Sequence, residues 1–141
     1  MTDRRYAQYT KVSVSNSKTE IERILSRYGA DQFMYGTKEE MAVVMFRAHG
    51  RHVKFVLPLA VDGNDQEERR RWRCLVLVIK SKLEAVATGI VEFEDEFLAQ
   101  IIMPDGRTVS EHARPMIENA YKSGKVQSLL PDFSSSERDD G

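Results

Sequence analysis

Apolar and polar positions change their spacing several times along the chain, and each change marks an element. Lys11 to Ser15 alternates, with Val12 and Val14 on one side, and predicts a short strand. Ser17-Lys18-Thr19-Glu20 has capping-box spacing, in which the first and last side chains each satisfy a free backbone N–H at a helix start. Ile21, Ile24, Leu25 and Tyr28 follow at i, i+3, i+4 and i+7, and Gly29 supplies the stop. Gln32 to Tyr35 reads as a strand. Met41 to Ala48 and His52 to Leu57 read as a hairpin with His49 and Gly50 as its two loop residues. That register pairs Phe46 with Val53, Val44 with Phe55 and Ala42 with Leu57, all on one face. Arg47 opposite His52 and Met45 opposite Lys54 fall on the other, and a slip of one residue would separate Phe46 from Phe55.

A loop after Pro58 ends at Gly63-Asn64-Asp65, and Asp65 with Glu68 resembles a second capping box. A long helix is expected from there to about Thr88. Trp72, Leu75, Val76, Ile79, Leu83 and Val86 form its stripe, and Leu77 and Val78 lie outside it, so cover on more than one side is expected. Phe93, Phe97, Leu98, Ile101 and Ile102 mark another amphipathic helix, with Glu92, Glu94, Asp95 and Glu96 in its first turns, where the helix dipole favours negative charge. Pro104-Asp105-Gly106 is a turn. Thr108 and Glu111 have the spacing of a third capping box, Pro115 interrupts or restarts that helix, and Met116, Ile117, Ala120 and Tyr121 continue an apolar face to Gly124.

The expected fold is α+β: three or four antiparallel strands packed by one face on helices, in the order β-α-β-β-β-α-α-α. Residues 1–10 read as an N-terminal arm, 11–131 as a single domain, and 132–141 as a disordered acidic tail with nothing apolar to bury in Ser134 to Gly141. The βββα core with a helix before it has the element order of double-stranded-RNA-binding domains. The same order occurs in unrelated folds, and the basic helix start usual in those domains is missing here.

Composition excludes some classes. One cysteine, Cys74, rules out an internal disulfide. No segment approaches the roughly 20 apolar residues of a membrane span, and the first residues lack the apolar core of a signal peptide. The cytoplasm is the expected location. The net charge of -1 conceals a split. Residues 1–88 carry 16 Lys/Arg against 11 Asp/Glu, and residues 89–141 carry 5 against 11. A basic face and an acidic face follow; either they pack on each other or they meet partners. Head-to-tail self-association into a homo-oligomer is a further option.

The basic candidates are Arg47, His49, Arg51, His52 and Lys54 on the hairpin, and Arg70, Arg73 and Lys80 on one side of the long helix. A basic ribbon and a cationic stripe can contact phosphates. Trp72 is in phase with the apolar stripe and so belongs to the core rather than to a base-stacking platform. Glu67 and Glu68 are spaced to pair with Arg71 or its neighbours. Glu92, Glu94, Asp95 and Glu96 form the acidic candidate, for docking on a basic protein. Neighbours along one helix spread around it, so they do not converge on a cation. Zinc would need His49 and His52 joined by His112 or a carboxylate, and no metal is expected. Cys74 has no nearby activating base. No Walker loop or GxGxxG is present, so no cofactor is expected, and enzyme activity has no support in the residues.

Several stretches resemble small uncharacterised proteins of bacteriophages and prophages. They are Arg27-Tyr28-Gly29-Ala30 with Phe33-Met34-Tyr35-Gly36, Arg71-Trp72-Arg73, Ile79 to Val86, Gly89-Ile90, Phe93 to Ala99, and Pro104 to Val109. The resemblance spans about residues 12–131, carries no known activity, and implies a bacterial cytoplasm during infection. Two roles are expected from these readings. The first is a phage-type, non-enzymatic nucleic-acid-binding accessory protein that contacts phosphates through the hairpin and helix cations. The alternative is an inhibitor of a host or defence protein, acting through the acidic C-terminal helices.

Overall fold

The computed structural model describes residues 2–59 and 64–126, with residues 2–10 described by their backbone alone. The chain divides into two compact units, Met1–Val109 and Ser110–Gly141. The first is a two-layer α+β unit. Helix α1 (Thr2–Arg27) leads into strands β1 (Asp31–Lys38), β2 (Met41–Ala48) and β3 (Arg51–Pro58). Helix α2 (Asp65–Ala87) and a single-turn helix α3 (Phe93–Glu96) follow, then a 3-10 turn at Leu98–Gln100. The sheet is antiparallel in the order β1-β2-β3. The second unit is described by helix α4 (Val109–Ser123), which runs through Pro115 without a break and buries none of its residues. Gly124, at φ 71°, ends it, its N–H donating to the carbonyl of Ala120.

The hairpin has the expected register, pair for pair from Ala42↔Leu57 to Arg47↔His52. His49 and Gly50 both take positive φ, 53° and 72°, as the tight turn matching the strand twist requires. Ala42, Val44, Phe46, Val53 and Phe55 are buried on one face. Ile21, Ile24 and Leu25 of α1 and Trp72, Leu75, Val76, Ile79 and Leu83 of α2 share the same core. Both helices therefore cover one side of the sheet and leave the other open.

The N-terminal strand is corrected. Lys11 to Ser15 is helical, and α1 is one continuous helix. Ser17 is consequently no cap. Its helix already supplies i−4 carbonyls to the N–H groups a capping box would satisfy, and Ser17 lies buried mid-helix. The expected stop does form. The Ala30 N–H donates to the Leu25 carbonyl (2.9 Å) and the Gly29 N–H to that of Ser26 (3.1 Å), with Gly29 at φ 85°. The cap of α2 sits one residue earlier than expected. Asn64, not Asp65, accepts from the Glu67 N–H at 3.2 Å. Asn64→Ala should cost about 1 kcal/mol of stability, read from the urea midpoint.

Two further expectations change. Leu77 and Val78 are 63% and 44% exposed, so α2 is covered on its core side only. The helix expected through Ile102 lasts one turn. Its continuation is captured by the free edge of β3: Ile101 bridges Val53, and the Ile102 N–H donates to the His52 carbonyl at 2.8 Å. The Pro104-Asp105-Gly106 turn forms as expected, with the Gly106 N–H donating to the Met103 carbonyl and Ile102 bridging Thr108. The expected tail, 132–141, lies outside the described residues.

Lys18 and Tyr35 tie α1 to the rest of the core. The Tyr35 hydroxyl donates to the Lys18 carbonyl at 3.0 Å, and the Lys18 ammonium lies 5.2 Å from the Trp72 ring centroid and 5.7 Å from that of Tyr35. Burial holds the Tyr35 phenol above its usual pKa, so it stays a donor at any ordinary pH.

Candidate functional site

The hairpin tip meets the segment after α2. His49 stacks on Phe93 with ring centroids 4.6 Å apart, and the Arg51 Nε donates to the Glu94 Oε1 at 3.0 Å. A basic residue and an acidic residue 43 positions apart in sequence thus face each other. Arg47 forms a two-pronged pair with Asp31 of β1, Nε to Oδ1 and Nη2 to Oδ2, both at 3.1 Å. Lys54 also has an interaction partner. His52 is exposed beside Arg47 on the open face. The hairpin cations are largely consumed inside the fold.

The helix cations lie elsewhere. Arg70, Arg73 and Lys80 are exposed on the side of α2 opposite its buried stripe. That side points away from the sheet, whereas the hairpin's Arg47, His52 and Lys54 project from the sheet's open face. Arg51 and His49 instead lie at the hairpin tip against Glu94 and Phe93, so the eight basic candidates do not make one phosphate track. The start of α2 is also acidic, with Asp65, Glu67 and Glu68 in its first turn, and Glu67 holds Arg70 (3.5 Å) and Arg71 (3.3 Å). Trp72 is 2% exposed, core as expected. Of the acidic candidates, Glu94 is held by Arg51, Glu96 accepts from the Lys82 ammonium at 3.4 Å, and Glu92 and Asp95 are exposed.

The Asp31–Arg47 pair has a pH signature. Hydrogen bonding to Arg47 holds the Asp31 carboxyl below its usual pKa. A carboxyl lowered by folding stabilises the fold above its unfolded pKa, and that contribution disappears as pH falls through its folded pKa. The difference in urea midpoint between wild type and Asp31→Asn should therefore shrink in acid below the ordinary carboxylate range. The pair is exposed, so the difference is small throughout.

Beside the tip lies a cleft of about 790 Å³. Its walls are Met45 of the sheet and Leu98, Ile101, Ile102, Met103 and Pro104, with Arg51, His52 and Glu94 the polar groups lining it. The cleft is open to solvent and its lining is mostly apolar. The cleft opens onto the uncovered sheet face, where Met34 pairs with Met45 and Val43 with Val56. Met34, Met41 and Val56 are 60%, 45% and 46% exposed. Four of the chain's six methionines, Met34, Met41, Met45 and Met103, therefore line one continuous surface.

The sequence contained this surface in the odd-numbered positions of β2, which read only as the non-core face. What it did not show is that α1 and α2 both pack on the opposite face and that residues 98–104 fold back to wall one end of this one. Among the described residues no group of three His, Cys, Asp or Glu gathers where it could hold a metal ion, and no helix is long and apolar enough to cross a membrane. Comparison of the chain with protein-family models, with curated proteins and with solved structures finds no match.

Proposed function

We propose that the chain acts by binding another protein through the methionine-rich sheet face and the cleft that continues it. The observation that carries this reading is the open face itself: Met34, Met41 and Val56 stay exposed on a sheet whose other side packs on α1 and α2. Contiguous apolar surface of this kind marks interaction sites. Methionine, unbranched and polarizable, adapts to varied apolar partners. This keeps the protein-binding role expected from the sequence and moves it from the acidic helices to the sheet. Glu94 then serves at the rim of the cleft, with Arg51. The resemblance to phage proteins is what would make the partner a host or defence protein.

The nucleic-acid reading is less well supported. Arg47, Arg51 and Lys54 of its hairpin half already have partners within the fold, and its helix half lies on the side of α2 away from the sheet.

Site-specific photo-crosslinking tests the proposal. A benzophenone side chain placed at Met34 or Val56 of the full chain, irradiated in bacterial lysate, should give a discrete protein adduct. The same group at Arg23, exposed on α1, should not. An identical ladder of adducts from all three positions, or none from the two sheet positions, would reject the sheet face as a docking surface.

A further inference from the structure

We propose that the outer face of α2 is a second docking surface, distinct from the cleft, and that it takes an acidic amphipathic helix of a partner protein. Two properties coincide there. The first is apolar exposure in mid-helix: Leu77 is 63% and Val78 44% exposed. The second is cationic charge beside Leu77. Arg73 and Lys80 stand at i−4 and i+3 from Leu77 on one flank, and Arg70 lies one turn before Arg73. Among the described residues no ion pair engages Arg73 or Lys80, whereas Arg70 shares Glu67 with Arg71.

The spacing specifies the partner. Arg73 and Lys80 are seven residues apart, about 10.5 Å along the axis. A partner helix presents carboxylates over that span at i and i+7, with an apolar residue between them on the same side to cover Leu77. Glu84, exposed one turn beyond Lys80, repels acid at that end and confines the match to the stretch from Arg70 to Lys80. Nucleic acid fits less well. Phosphates gain nothing from Leu77 or Val78, and the aromatic that could stack a base, Trp72, is buried on the far side of the helix.

Cys74, exposed on this face one turn before Val78 and the only cysteine of the chain, reports occupancy. The experiment follows alkylation of Cys74 in the full chain. The probes are a synthetic helical peptide of about 20 residues with a leucine stripe flanked by glutamates at seven-residue spacing, its lysine-for-glutamate counterpart, and single-stranded and duplex DNA. The acidic peptide should slow alkylation about tenfold at saturation, and the basic one should not. The double variant R73E/K80E, and separately Leu77→Ser, should each weaken the acidic peptide about tenfold, roughly 1.4 kcal/mol, with an unchanged circular dichroism spectrum. Met45→Asp, on the sheet side, should leave peptide binding intact, so a failure of the cleft reading is told apart from a failure here. The proposal is overturned if the acidic peptide does not protect Cys74. It is equally overturned if DNA protects Cys74 at lower concentration than the peptide does and Leu77→Ser leaves that protection unchanged.

Discussion

Phe97→Ala should lower stability by about 3–5 kcal/mol, the range for emptying a fully buried phenylalanine site. Phe97 is fully buried although it follows a helix of only four residues. Its ring meets Phe46 and Phe55 edge-on, at 6.0 and 6.2 Å between centroids, and stacks on Phe93 at 4.6 Å. The Lys82 ammonium lies 5.4 Å from its centroid and donates to the Glu96 carbonyl at 2.9 Å. Phe97 is thus the bolt that fastens the segment after α2 to the sheet core. Deleting it leaves a cavity among three aromatic rings and frees the wall of the cleft. Phe97→Leu keeps most of the volume and should cost under about 1.5 kcal/mol. Urea unfolding of both variants checks this. A loss below about 1 kcal/mol for Phe97→Ala would mean that the segment is not docked as described.

The elements legible in the sequence were those fixed by short-range rules. The hairpin register follows from alternation on both strands and a two-residue loop able to take positive φ at His49 and Gly50. The buried side of α2 follows from a stripe of large apolar residues. In the first element two periods overlap. Val12 and Val14 alternate like a strand, but Val14, Ser17, Ile21, Leu25 and Tyr28 also fall on one helical side, and Ser17, Ile21 and Leu25 are buried there. The stripe begins before the Ser17 capping-box spacing, inside the stretch that alternates. The helix after Gly89 is shorter than its apolar spacing predicts for a different reason. The unpaired edge of β3 offers Ile101 and Ile102 hydrogen-bond partners, and no local pattern announces a competitor that distant.

Charge shows the same limit. The split between a basic first part and an acidic second part is plain in the sequence, and both of its readings apply in different places. Arg51 and Glu94 bring the two parts together, as do Lys82 and Glu96. Arg73 and Lys80 remain on the outside, around exposed Leu77. Counting charges cannot separate these cases, because pairing depends on which side of the sheet or helix each residue occupies. Exposed ion pairs such as Arg51–Glu94 contribute little stability. Arg51 and Glu94 both line the cleft, so its mostly apolar wall carries paired opposite charges at this edge.

Met45→Asp should reduce partner binding by at least about a hundredfold, roughly 2.7 kcal/mol, while costing the fold far less than Phe97→Ala. Met45 is half-buried, lies between Met34 and Lys54 across the strands, and belongs both to the open face and to the cleft. A carboxylate there has Lys54 directly opposite it, which limits the cost in the free protein. In the complex the same carboxylate would be buried against apolar partner atoms, where an unpaired charge is expensive. The asymmetry is what separates a docking surface from a merely exposed one. With a benzophenone at Val56 as the reporter, Met45→Asp should abolish the adduct and leave the urea midpoint near that of wild type. If the adduct persists at wild-type yield in this variant, Met45 is outside the contact, and the partner meets the sheet without entering the cleft.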